Sequence, residues 1–128
     1  AWVKKHCKYT VNCEGPEMVR TAFYENYHSY NGGDIPGRTC ALAADVAWPV
    51  EARFLAQVFD DYPERRRHAP YPLIDIASVR LAAGLDPLET CRRYPEEMPA
   101  HSALADARQS ARLLLEALQI INRGVVLG

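Results

Sequence analysis

Only two stretches of this chain read as β-strand, Thr39 to Asp45 and Tyr71 to Ile76, and helical patterns surround both. Strands set between helices predict an α/β domain. Two strands are too few for an independently stable sheet, because three or more are normally needed. The chain is therefore expected to lack part of its sheet, or to complete it with strands from a second copy or a partner chain. Its 128 residues are one domain's worth. A single domain over 1–128, with a core of its own, follows.

The helices are readable from spacing. Pro16 suits a first turn, and Glu14 and Glu17 complement the positive end of a helix. Val19, Phe23, Tyr27 and Tyr30 then recur on one face, and Asn31-Gly32-Gly33 ends the run before a turn-rich loop over Asp34 to Arg38. A second helix is expected from Pro49 to about Phe59, with Val50, Phe54, Leu55 and Val58 inward. Asp60 to Pro70 reads as a polar loop, Ala77 to Ala83 as a short helix stopped by Gly84, and Pro87 as the start of another. Tyr94 to Pro99 reads as a loop. The last helix carries a stripe of Leu104, Ala107, Ala111, Leu114, Leu118 and Ile121, with Gly124 as its stop.

Charge narrows the function. Fifteen Lys and Arg face sixteen Asp and Glu, a net charge of −1, and 48% of residues are apolar. Such a chain is not intrinsically disordered. It is not a polycation either, so any nucleic-acid contact must come from a local basic patch or from metal ions. No apolar run reaches the ~18–20 residues of a membrane span, so no membrane partner is expected. Ala1-Trp2-Val3-Lys4-Lys5 has no apolar export signal. Cys7, Cys13, Cys40 and Cys91 form no Cys-x-x-Cys pair, which suggests reduced thiols in a cytoplasm. His6, Cys7, Cys13 and His28 are spaced more loosely than the paired ligands of a structural zinc site.

Chemistry concentrates at His101-Ser-Ala-Leu-Ala-Asp106. His101 stands at or just before the last helix, and Asp106 lies beside its apolar stripe. A carboxylate near a packed face needs a metal ion, an arginine or a helix-end amide to satisfy it. A base beside a metal-bound carboxylate suits water activation. Taken singly, His101 also reads as a capping or exposed residue, and Asp106 as a partner of the helix dipole. Asp45 closes the first strand, where carboxylates of open α/β sheets face the ligand crevice, or it is a turn aspartate. Asp75 reads as a helix cap. Arg65, Arg66 and Arg67 are candidate phosphate contacts or a solvated loop. Trp48 and Tyr71 are candidates for base stacking or for packing.

Together these residues resemble the DEDDh branch of 3′–5′ exonucleases. The likeness runs from about Thr39 to Leu118. Histidine, four residues and aspartate at the start of the final helix form that family's last motif, here His101 and Asp106. An aspartate after a strand and before a helix forms its middle motif, here Asp45 ahead of Trp48, Pro49 and Phe54. The resemblance implies an RNase H-like fold, a mixed sheet with flanking helices, here without its N-terminal strands. It implies that Asp45 and Asp106 bind metal and that His101 is the general base. It further implies two divalent cations, Mg²⁺ or Mn²⁺, and release of nucleoside monophosphates from DNA or RNA 3′ ends. Trp48 and Arg65 to Arg67 would contact the substrate. The family's first motif, an Asp-x-Glu on the opening strand, has no counterpart here. The expectation is therefore an incomplete enzyme, with a catalytically degenerate module that binds nucleic acid or a protein as the alternative.

Overall fold

The computed structural model describes residues 14–31, 41–70 and 72–127. The expectations for His6, Cys7, Cys13, Cys40, the 34–38 loop and Tyr71 lie outside the described residues. The protein is mixed α/β and mostly helical, with a two-stranded parallel sheet. Among the described residues, those up to Ile74 form one compact unit, and those from Asp75 onward form a second.

The first unit runs α1 (Pro16–Tyr30), β1 (Leu42–Ala44), α2 (Val50–Asp60), a 3-10 turn (Pro63–His68) and β2 (Leu73–Asp75), whose last residue opens the second unit. α2 and the turn supply the long crossover that two parallel strands require. Pro16 opens α1, and Glu17 sits in its first turn. The inward side of α1 is rotated from the expected stripe: Tyr27 is buried and Phe23 and Tyr24 are half-buried, while Val19 and Tyr30 are exposed. The rotation places Arg20 against Asp61 and Thr21 against Arg65, ties that apolar periodicity alone does not register.

The core of this unit is Tyr27, Val58 and Phe59, with Phe23, Tyr24, Leu42, Phe54 and Leu55 around it. Each fully buried side chain of this size contributes about 1.5–3 kcal/mol. The rings meet edge to face, Tyr27 on Phe59 at 5.8 Å and Phe23 on Phe54 at 5.3 Å, a geometry their quadrupoles favour. Val50, expected inward, is exposed. The expected loop after α2 is instead the 3-10 turn, opened by Pro63.

The second unit contains α3 (Ile76–Ala82), a 3-10 turn (Pro95–Glu97) and α4 (Ala103–Leu127). Asp75 caps α3 as expected. It accepts the Ser78 backbone N–H at 3.0 Å, and the Ser78 hydroxyl as well. Gly84, at φ 79°, ends α3 in the left-handed region. The Gly84 N–H donates to Leu81 O and the Leu85 N–H to Arg80 O, both at 3.0 Å, the pattern that closes helices at a glycine. The helix expected from Pro87 is only a turn. Its reason is local: the Asp86 carboxylate accepts the Leu88 N–H at 2.9 Å and bends the chain.

α4 packs on α3 and on the second 3-10 turn. The expected stripe holds only in part: Leu114 and Ile121 are half-buried. Ala105 and Ala117 are buried, whereas Leu104, Ala107, Ala111 and Leu118 are exposed. The packed side includes Gln109 and Arg112, which bond the segment ahead of the helix, so hydropathy understates it. α4 also continues through Gly124. No described helix is long and apolar enough to cross a membrane.

Candidate functional site

His101 and Asp106 come together at the start of α4. Ser102 O accepts the Asp106 N–H at 2.8 Å, so the helix begins there. The Asp106 carboxylate folds back over this end, and its Oδ1 accepts the backbone N–H of His101 at 3.2 Å. An anion here also benefits from the positive end of the helix dipole. His101 has φ 65° and an exposed residue surface. Its side chain therefore leaves a sharp turn that the Asp106 carboxylate helps to hold.

Asp106 has a second partner that its motif does not announce. The Arg93 guanidinium NH2 lies 2.8 Å from Asp106 Oδ1. Arg93 NH1 donates to Glu97 O at 2.9 Å. Of the three ways to satisfy this carboxylate, the arginine and the helix-end amide are both present. No described residue hydrogen-bonds to Asp106 Oδ2.

Behind this lies a buried ion pair. Glu97 is 1% exposed. Its carboxylate accepts Arg112 Nε at 3.1 and 2.9 Å and the Tyr94 N–H at 2.8 Å. Hydrogen bonding from Arg112, aided by the Tyr94 amide, holds the Glu97 carboxyl below the usual glutamate range despite burial. Arg112 is pushed the other way, chiefly by Glu97, with Glu116 adding to it. Arg112 also lies over the Tyr94 ring at 4.4 Å and donates to Arg92 O at 2.8 Å. One helix residue thus fixes the whole 92–97 segment that carries Arg93. Sequence reasoning missed Arg93, Glu97 and Arg112. Their only advance signal is the charge density of Arg92-Arg93-Tyr94-Pro95-Glu96-Glu97.

The other candidates belong to the first unit. Asp45 follows β1 directly and is exposed. Its side chain has no hydrogen bond or ion pair among the described residues. Trp48 is 68% exposed, which overturns packing as its role, and the Arg53 guanidinium lies 5.4 Å from its ring centroid. Arg65 is turned inward at 5% exposure. Its guanidinium sits between the Tyr24 and Tyr62 rings at 4.6 and 4.5 Å and donates to Val58 O and Thr21 Oγ1. Arg66 and Arg67 are exposed. Arg66 pairs with Asp60 at 3.3 Å and Arg67 donates to His68 Nε2 at 3.0 Å.

A divalent cation needs several oxygen ligands. Among the described residues no group of three or more His, Cys, Asp or Glu can hold a metal ion. At the motif itself no described residue bonds Asp106 Oδ2, and Oδ1 is already faced by the Arg93 guanidinium. The described residues do not fit a complete cation site. No protein-family model, curated protein or solved structure matches this chain.

Proposed function

We propose that this chain carries the middle and last motifs of a metal-dependent 3′–5′ exonuclease of the DEDDh type, within an RNase H-like fold. The observation that carries the reading is the local construction of the His101–Asp106 pair. An exposed histidine projects from a left-handed turn, and the aspartate five residues beyond it secures that turn with one carboxylate oxygen. Among the described residues the other oxygen has no hydrogen-bond partner, and it is the atom this reading assigns to a hard cation. Asp45, exposed directly after β1, is the second carboxylate only by the resemblance. His101 has the role of general base toward the attacking water, which is work suited to an imidazole near neutral pH. Mg²⁺ or Mn²⁺ is the implied cofactor, with the Asp-x-Glu ligands supplied from outside this sequence. Trp48 offers an aromatic face to a base at the 3′ end. Arg66 and Arg67 are the exposed candidates for phosphate contacts and would exchange Asp60 and His68 for them, whereas Arg65 is committed to the interior.

The assay is release of mononucleotides from 3′-labelled DNA and RNA. The chain is tested alone and with the reading frame upstream of Ala1 included. The extended protein is expected to degrade one of the two substrates with Mg²⁺ or Mn²⁺ and to stop when EDTA is added. Asp106→Ala abolishes release, and His101→Ala slows it by about 10²–10⁴-fold. An extended protein that leaves the labelled ends intact overturns the reading.

A second reading is a non-catalytic module that binds nucleic acid or a protein partner. It is favoured by the Arg93–Asp106 pair, which supplies a positive charge where the nuclease reading puts a metal. Binding of labelled oligonucleotide without degradation, unaffected by Asp106→Ala, is its signature.

A further inference from the structure

α4 turns an apolar stripe outward. Its packed side holds Ala105 and Ala117 together with the polar Gln109 and Arg112, which bond the segment ahead of the helix. The opposite side carries Leu104, Leu115 and Leu118 at 61%, 60% and 39% exposure, and Ala107 and Ala111 are exposed between them. Single exposed leucines are ordinary on a protein surface, but a continuous helical stripe of them marks a surface that meets a partner. Among the exposed residues from 104 to 122, Arg108 is the one charge. The Gln119 amide lies on the same flank, about three turns further on.

The stripe is complementary to itself. Leu115 lies as far beyond Leu113 as Ala111 lies before it, and Leu118 and Ala107 are placed almost the same way. We propose that two copies of the chain pair through this face, antiparallel about a two-fold axis at the level of Leu113. Such an axis brings residue i against j and j against i. Leu115 of each copy then covers Ala111 of the other copy, Leu118 covers Ala107, and Arg108 meets the Gln119 amide, whose oxygen accepts a hydrogen bond. The two Arg108 side chains stand about 15 Å apart along the pair, beyond the screening length of about 8 Å at physiological salt. A parallel pairing would set Arg108 beside Arg108 and Ala111 beside Ala111, bringing like charges together and leaving a gap between the leucines. The face is about 28 Å long and about 12 Å wide, so two copies cover roughly 700 Å² between them. Standard-size interfaces cover about 1,200–2,000 Å². The pair is therefore a weak one that forms as concentration rises. It is independent of the nuclease reading and of any completion of the sheet by strands from a second copy.

The test is sedimentation equilibrium of the whole chain from about 10 μM to about 1 mM. The weight-average mass is expected to rise from one copy toward two. Leu115→Glu and Leu118→Glu each put a carboxylate on the exposed stripe and hold the chain as a monomer over the same range, with thermal unfolding showing that each still folds. Gln119→Glu reads the direction of the pairing and leaves the stripe intact, so it stands if neither leucine variant folds. In the antiparallel pair it sets a carboxylate against Arg108 of the other copy, and the dissociation constant falls by about 2–10-fold. In a parallel pair it sets carboxylate against carboxylate, and association weakens. The gain is lost when Arg108→Gln is added, and it is lost in about 1 M salt. A parent chain that stays monomeric to about 1 mM, a mass that climbs past two copies, a folded Leu115→Glu variant that associates as the parent does, or a Gln119→Glu variant that pairs no better than the parent overturns the inference.

Discussion

At φ 65°, His101 occupies a region that costs an L residue about 1–2 kcal/mol. Glycine enters the same region without that cost. His101→Gly therefore separates the backbone from the imidazole. We predict a melting temperature no lower than that of the parent, with up to about 1 kcal/mol of added stability, together with loss of the nuclease activity proposed above. His101→Ala keeps the left-handed strain and slows the same activity as proposed above. Thermal unfolding followed by circular dichroism measures the first effect. A glycine variant that melts well below the alanine variant would mean that the imidazole itself holds the turn. The histidine and the aspartate were legible in the sequence because their relation is local, five positions apart. Arg93 was not. Its link to Asp106 crosses thirteen positions and depends on a turn geometry that no short pattern encodes.

Among the elements, those with local signals matched expectation. Pro16 opens α1, Asp75 caps α3 and Gly84 closes it. The elements that differ are those whose inward face is polar. Arg65 turns a charged segment into part of the interior, and its burial depends on two tyrosines, one far away in sequence. α4 presents Gln109 and Arg112 to its packed side while Leu104, Leu115 and Leu118 are exposed, so its leucine pattern marks that side only in part. Gly124 is the clearest case of a local signal overruled, since the helix runs through it. A Cβ there would meet nothing within 4 Å. Gly124→Ala is thus expected to stabilise the protein by about 0.5–1 kcal/mol, the difference in helix propensity, or less because the position is in the last turn. The measurement is the urea midpoint of the variant against the parent. An unchanged or lower midpoint would show that α4 does not persist through this position in solution.

For the molecule as a whole, acid should act on both units through carboxylates that share no partner. In the first, Asp61 bonds Arg20 at 2.6 and 3.0 Å, and that bonding lowers its pKa from the usual aspartate value. In the second, Glu97 is lowered chiefly by its bonds from Arg112. Both groups hold on to their charge longer in the folded chain than in the unfolded one. As the pH falls past the ordinary carboxylate values near 4, the unfolded chain takes up protons first, so stability drops until the folded values are passed. The contribution of these two carboxylates is accordingly flat between pH 7 and about 5 and declines below that. Glu97→Gln strands Arg112 without its buried counter-charge, so the variant melts lower at pH 7, by about 5 °C or more. Its decline in acid is shallower than that of the parent, because the proton-linked share of Glu97 is gone. Asp61→Asn removes the share of Asp61 in the same way. Without a common partner the two changes in slope should add in the double variant. Urea midpoints from pH 3 to 7 for the parent, both single variants and the double variant test this. A parent slope unchanged by Glu97→Gln would mean that this carboxylate is not held below its usual range, and that the clamp on the segment bearing Arg93 is weaker than its geometry implies.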